Sequence, residues 1–176
     1  ESVAAAQTEA KISNTVMAVS QNAGEAASRT LIAYFTWADN TVVEDQEAAV
    51  QSALAHYGSI GDSSRYTDVD AVSSASVVQP GNVAQMAGWI QQEIGGDLYS
   101  IQVTEPYSSD YDECMDRASK ERADQERPEL NDRVEDIDAY DTVMIGYPNW
   151  WSGVPMPVLS FIENHNLSGK RIILFC

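Results

Sequence analysis

This 176-residue chain predicts an α/β fold, with helices covering an open parallel sheet. Three observations carry that expectation. Short, mostly β-branched runs such as residues 142–145 suit strands buried on both faces. These runs alternate with longer stretches whose apolar residues recur at helical spacing. The order strand, helix, strand, helix, strand, helix, strand is that of a parallel sheet with right-handed crossovers. The length is about that of one domain, and an apolar fraction of 44% can form a real core.

Residues 2–27 are rich in Ala, Ser, Gln, Asn and Thr with few large apolar side chains, which reads as a tether or weak helix. Arg29-Thr-Leu-Ile-Ala-Tyr-Phe-Thr36 is a buried strand. From 44 to 56 a short helix offers Ala48, Ala49, Leu54 and Ala55 for packing, and 58–70 is a polar loop rich in Gly and Ser. In Asn82–Ile94, Val83, Met86, Ala87 and Ile90 share one face and Gly95-Gly96 supplies the stop, so this is an amphipathic helix. Residues 97–103 alternate as a second strand, and 109–125 form a charge-laced helix exposed on most of its surface. The third strand, 142–145, is closed by Gly146 and Pro148, and Pro155 starts a helix carrying Val158, Leu159 and Ile162. Leu167-Ser-Gly-Lys-Arg-Ile-Ile-Leu-Phe-Cys176 is a turn and then a buried strand. Domains seldom end on such a strand without a covering helix, so the natural protein is expected to continue. One domain at 29–176 behind a linker at 1–28 is the resulting organisation.

The net charge of -17 argues against non-specific binding to nucleic acid or anionic membrane, and favours basic or cationic partners. Cys114 and Cys176 are the two cysteines; with no CxxC and no nearby His cluster they form neither a zinc site nor a disulfide framework, and no metal is expected. No run approaches transmembrane length. The chain starts at Glu1, and export or lipid anchoring with the signal removed is the favoured expectation, a cytoplasmic place the alternative.

The most informative stretch is Gly146-Tyr-Pro-Asn-Trp-Trp-Ser-Gly153, a loop at the carboxyl end of a strand, where ligands bind in open parallel sheets. Two adjacent tryptophans there make a platform for a flat ring. They also read as ordinary core or interface aromatics, and two in a row at a strand end cannot both face one way. Trp37 stacks or merely packs. His56 and His165 read as exposed, Cys114 as a helix-face residue, and Asp110, Asp112, Glu113 and Asp116 as a solvated helix face with a basic docking partner as the minority reading.

Tyr34-Phe-Thr-Trp37, Gly81-Asn-Val83 opening a helix, Gly95-Gly-Asp-Leu-Tyr99, Glu105-Pro-Tyr107, Arg127-Pro-Glu-Leu130, Tyr140-Asp141, Gly146-Tyr-Pro-Asn-Trp-Trp151 and Pro155-Met-Pro157 together resemble the flavodoxins, in particular a bacterial branch with a Trp-Trp loop. The resemblance covers 29–176 apart from an insertion at 38–79. It implies a flavodoxin-like doubly wound open sheet in three layers, of order 2-1-3-4(-5), with the last strand and helix missing from this chain, and FMN at the switch point between strands one and three.

The resemblance implies two cofactor-binding groups. The phosphate would lie on Thr36, Trp37, Gly81, Asn82 and Val83, held by hydroxyl and backbone N–H donors and the helix N-terminus. The ring would lie on Tyr147, Pro148, Asn149, Trp150, Trp151 and Ser152. No Lys or Arg is present in either loop. The family's loop runs Ser/Thr-x-x-Gly-x-Thr without a break, whereas here the insertion separates Thr36-Trp37 from Gly81-Asn82-Val83, and Val83 stands where the family has Thr. A contiguous loop, Thr36-Trp-Ala-Asp-Asn-Thr41, competes. The split register is favoured because Gly81 precedes the helix that runs into Gly95-Gly96 and the second strand. The insertion either caps the flavin's edge or is a surface excursion.

The implied function is FMN-based redox electron transfer to a separate, basic partner protein, with no side chain singled out as catalytic. Two alternatives stand beside it. One is an FMN-dependent reductase of quinones or similar molecules using NAD(P)H, and the other a non-redox binding module that has lost FMN.

Overall fold

The computed structural model describes residues 29–59 and 77–176. The tether at 2–27 and all but the start of the polar loop at 58–70 lie outside the described residues. Four strands form one sheet: β1 (Thr30–Tyr34), β2 (Asp97–Ser100), β3 (Thr142–Gly146) and β4 (Arg171–Phe175). Four helices accompany them: α1 (Gln46–Ser59), α2 (Asn82–Ile94), α3 (Tyr111–Asp124) and α4 (Met156–Asn164). The strand order is β2-β1-β3-β4, every pairing is parallel, and Ile32 sits opposite both Leu98 and Met144. This is the doubly wound order expected from the sequence, with β1 and β3 adjacent at its centre.

Strand alternation divides the core. Leu31, Ala33, Phe35, Val143 and Ile145 face one layer, where they meet Ala49 of α1, Ala118 of α3 and Phe161 of α4. Ile32 and Met144 face the other layer with Ala87 of α2, and Tyr34, Ile90 and Phe175 pack around them. α2 reaches β2 through Gly95 and Gly96. Gly96 has φ +106°, and a Cβ there would stand 2.7 Å from the Thr30 carbonyl oxygen, so the turn takes only glycine.

Among the described residues β4 pairs with β3, and Ile172, Ile173 and Leu174 are 42%, 39% and 57% exposed. Several expectations are corrected. The second strand stops at Ser100 instead of 103. Ile101 still donates its N–H to the Tyr34 carbonyl, but beyond it the Asn40 side chain takes over, donating to the Ile101 carbonyl (3.0 Å) and accepting from the Val103 N–H (2.8 Å). The charged helix α3 is exposed over most of its surface, as expected, and buries Cys114, Ala118 and Glu121. His165 is buried rather than exposed, since its Nε2 accepts from the Val134 N–H (3.1 Å) and its Nδ1 therefore donates to the Phe161 carbonyl (2.7 Å). Gly58 and Ser59 extend α1 instead of starting the loop.

The first half of the insertion is integrated with the domain. After Thr36 the chain makes a short 3-10 turn, Ala38–Asn40, then leaves to pair Thr41 with Tyr107. α1 lies on α3: Ser52 Oγ donates to Asp110 (2.6 Å), His56 Nδ1 meets Asp112 (2.7 Å), and the Tyr57 and Tyr111 hydroxyls are 3.2 Å apart.

Candidate functional site

The loops after β1 and β3 meet at the carboxyl end of the sheet. The two ends of the insertion close on each other, with Gln79 Nε2 donating to the Ala38 carbonyl at 3.1 Å. Gly81 is thereby pressed on Thr36, so closely that a Cβ on Gly81 would stand 2.9 Å from the Thr36 Cβ and 3.1 Å from its hydroxyl. Beside them Gly146, the last residue of β3, has room for no side chain, because a Cβ there would run into the Phe175 ring and lie 2.8 Å from Val83 Cγ1. Thr36, Gly81, Val83 and Gly146 thus form one compact corner, and Thr36 is 3% exposed. In the contiguous stretch, Thr41 donates its hydroxyl to the Tyr107 carbonyl at 2.8 Å.

Helix ends mark the corner's electrostatics. α1 is capped by Asp45, which accepts from the Ala48 N–H (3.0 Å), and α3 by Asp110, which accepts from the Glu113 N–H (3.1 Å). In α4 the turn closes on itself, Val158 N–H to Pro155 carbonyl, with a proline in the first turn. α2 is different. Its N-cap is Gly81, with no capping side chain, and no acidic residue lies in its first turn. The helix dipole favours an anion at this end. Asp39, in the turn after Thr36, accepts from Ser100 Oγ of β2 at 2.9 Å.

The Trp loop is a tight turn closed by paired bonds, Trp150 N–H to Gly153 carbonyl (3.2 Å) and Gly153 N–H to Trp150 carbonyl (3.0 Å). Its two central residues, Trp151 (φ +48°) and Ser152 (φ +57°), are both left-handed, the conformation of a type I′ turn that ordinarily takes Asn-Gly. Arg122 Nη1 of α3 donates to the Trp151 carbonyl at 3.2 Å and so helps to hold it. The tryptophans diverge. Trp150 turns inward, edge-on to Phe35 (5.5 Å) and Tyr107 (5.7 Å), while Trp151 stands 42% exposed. Tyr147 is tied to the end of β4 by its N–H to the Phe175 carbonyl (3.1 Å), Pro148 is buried, and Asn149 and Ser152 are exposed.

Trp37 lies with the Trp loop rather than with the Thr36 corner. It is buried, its indole N–H donates to the Ser108 carbonyl (3.0 Å), and its ring meets Tyr111 edge-on at 6.1 Å. Between that ring, the face of α3 and the Trp loop is a cavity of about 180 Å³, walled by Trp37, Tyr111, Cys114, Ala118, Trp150 and Trp151. Burial pushes the Cys114 thiol up to about 12, with the Glu121 carboxylate adding to it, so it stays protonated.

Two supports escaped the sequence reading. Asn40, 3% exposed, also donates to the Thr36 carbonyl (2.8 Å) and so holds the loop after β1 against the chain leaving β2. Glu121, equally buried, accepts from the Tyr107 hydroxyl (2.6 Å) and from Arg117 Nε (2.9 Å), and the Arg117 guanidinium lies 4.2 Å from the Tyr107 ring centre. Burial first, and the Glu121 charge second, raise the Tyr107 hydroxyl far above its ordinary value. The assembly fixes Tyr107 behind Trp150. Only the Arg117 to Glu121 spacing of four could have signalled it. Among the described residues no group of His, Cys, Asp and Glu could hold a metal ion.

The comparisons with known proteins agree with this architecture. Residues 71–176 match the family model described as flavodoxin, a stretch that contains Gly81 and α2 but not α1. A protein of Bacteroides eggerthii assigned as a flavoprotein superposes with a TM-score of 0.57 at 29% identity, over 84% of this chain and 69% of its own. A second such protein, from Bacteroides uniformis, gives 0.56 at 24% identity, over 84% and 70%. A flavoprotein of Lactobacillus acidophilus, solved in complex with FMN, gives 0.48 at 17% identity, over 84% and 91%. No curated protein matches the chain.

Proposed function

Because this chain belongs to the flavodoxin family, we propose that it binds FMN and serves in redox electron transfer. The observation that carries the reading is the N-terminus of α2, without a capping side chain on Gly81 or an acidic first turn, packed through Gly81 on Thr36 and adjoining the β3 end that leads to an exposed Trp151. Thr36, Gly81, Asn82 and Val83 would hold the phosphate by hydroxyl and backbone N–H groups, without a basic side chain. Trp151 would offer its exposed face to the ring, with Asn149 and Ser152 beside it and Trp150 as the half-buried anchor of the turn. Bound FMN supplies one- and two-electron chemistry, and the chain supplies stacking, polar contacts and local charge.

A carrier is favoured over a reductase by the absence of an acid or base at the Trp loop among the described residues. His56 is held by Asp112, His165 is buried, and the Cys114 thiol is protonated. The charge of -17 suits docking to a basic partner protein. Titrating the chain into FMN, followed by flavin fluorescence and absorbance, tests the proposal. Saturable quenching with a shifted visible spectrum is expected; FMN left unquenched overturns it.

A further inference from the structure

We propose that the cavity between α3 and the Trp loop is a binding site for a neutral, single-ring aromatic molecule of the phenol class, its ring held by Trp37, Tyr111, Cys114, Ala118 and Trp150 and its hydroxyl at Asn149. The cavity shares Asn149 and Trp151 with the Trp loop assigned to the FMN ring, but its inner wall is distinct from the corner assigned to the phosphate. The Thr36 corner belongs to the α2 side of the sheet, where Val83 and Phe175 meet Gly146, whereas the cavity opens beside α3 in the other layer.

Size sets the first limit. Apolar cavities of about 150 Å³ accept benzene, and this one, at about 180 Å³, has room for one six-membered ring and a substituent but not for three fused rings.

The walls set the chemistry. Four aromatic side chains and the sulfurs of Cys114 and Met115 line the space. Edge and face contacts with rings, and sulfur contacts with ring edges, favour an aromatic ligand over an aliphatic one of equal size. None of the lining residues is charged, and the chain as a whole carries -17, so an anionic ligand is disfavoured. The inner polar atoms are already satisfied, the Trp37 indole N–H by Ser108 and the Tyr111 hydroxyl by Tyr57. Asn149, exposed at the edge, makes no side-chain hydrogen bond among the described residues and can meet one hydroxyl there.

The test is a titration of the full chain with phenol, followed in amide and indole nitrogen NMR spectra. The expected result is saturable shifts at the Trp37, Trp150 and Trp151 indoles and the Cys114, Met115 and Ala118 amides. Cyclohexanol and benzoate should bind at least about tenfold more weakly. Ala118→Leu, which fills the cavity, should weaken phenol at least about tenfold while FMN affinity stays within about twofold. No localised shifts with phenol at about 10 mM, or cyclohexanol equal to phenol, overturns the proposal. So does an Ala118→Leu chain that folds and loses FMN together with phenol, since the cavity would then be part of the flavin slot. Should Ala118→Leu fail to fold, the shift map of the unaltered chain decides alone. Phenol shifts in a chain that ignores FMN would uphold this site and remove the electron-transfer reading.

Discussion

Gly81 lies against Thr36 with no room for a Cβ between them, although the whole insertion separates the two in sequence. Gly81 has φ -61° and ψ 153°, a conformation open to any residue, so its need for glycine is contact and not backbone freedom. Gly81→Ala should therefore cost about 1–3 kcal/mol through overpacking and weaken FMN at least about tenfold. Gly88→Ala, in open space inside α2, should instead stabilise by about 0.5–1 kcal/mol. Urea unfolding and FMN titration of the two variants check both signs.

The tryptophans should separate by assay. Trp150→Ala removes a ring packed on Phe35 and Tyr107 and should cost about 3–5 kcal/mol in unfolding free energy. Trp151→Ala should cost less than about 1 kcal/mol, yet weaken FMN and raise the potential of the bound cofactor. The rise follows because a Trp face in an acidic chain disfavours added negative charge on the ring. An unchanged or lower potential in flavin-loaded Trp151→Ala contradicts this.

The turn at Trp151 and Ser152 places two side chains in a left-handed conformation. Ser152→Gly should relieve that strain and stabilise by about 0.5–1 kcal/mol. Arg122→Ala should act oppositely, freeing the Trp151 carbonyl and increasing acrylamide quenching of indole fluorescence. Quenching unchanged in Arg122→Ala would show that the paired Trp150 and Gly153 bonds hold the turn unaided.

Asp110 links α1 to α3, and it titrates. The Ser52 hydroxyl, and then the Glu113 amide, hold its carboxyl below the ordinary 3.8. The folded value being depressed, its stabilisation is present above the unfolded value and is lost as pH falls through the folded one. Acidification below about pH 4 should loosen α1, read as loss of the near-ultraviolet dichroism of Tyr57 and Tyr111. Asp110→Ala should produce the same loss at neutral pH and cost about 1 kcal/mol.

The local signals in the sequence were strong where one element answers to its own residues. Gly81 before Val83, Met86, Ala87 and Ile90, then Gly95-Gly96, marks α2 at the bounds the structure gives, Asn82–Ile94. The divergence of the Trp pair was likewise expected, but the structure produces it by a left-handed turn at Trp151 (φ +48°) and not by strand alternation. Long-range pairing was not legible. Asn40 joins Thr36, Ile101 and Val103 through one amide, and nothing in its neighbourhood announces those partners. His165 lies in a polar stretch and is buried only because Val134, from a distant segment, supplies a donor.

Comparing FMN with riboflavin on the full chain tests the central claim most directly, because the two differ by the phosphate assigned to the Thr36 and Gly81 corner. FMN should bind at least about tenfold tighter, about 1.4 kcal/mol, and Gly81→Ala should erase most of that difference. Equal affinity for the two ligands would contradict the account.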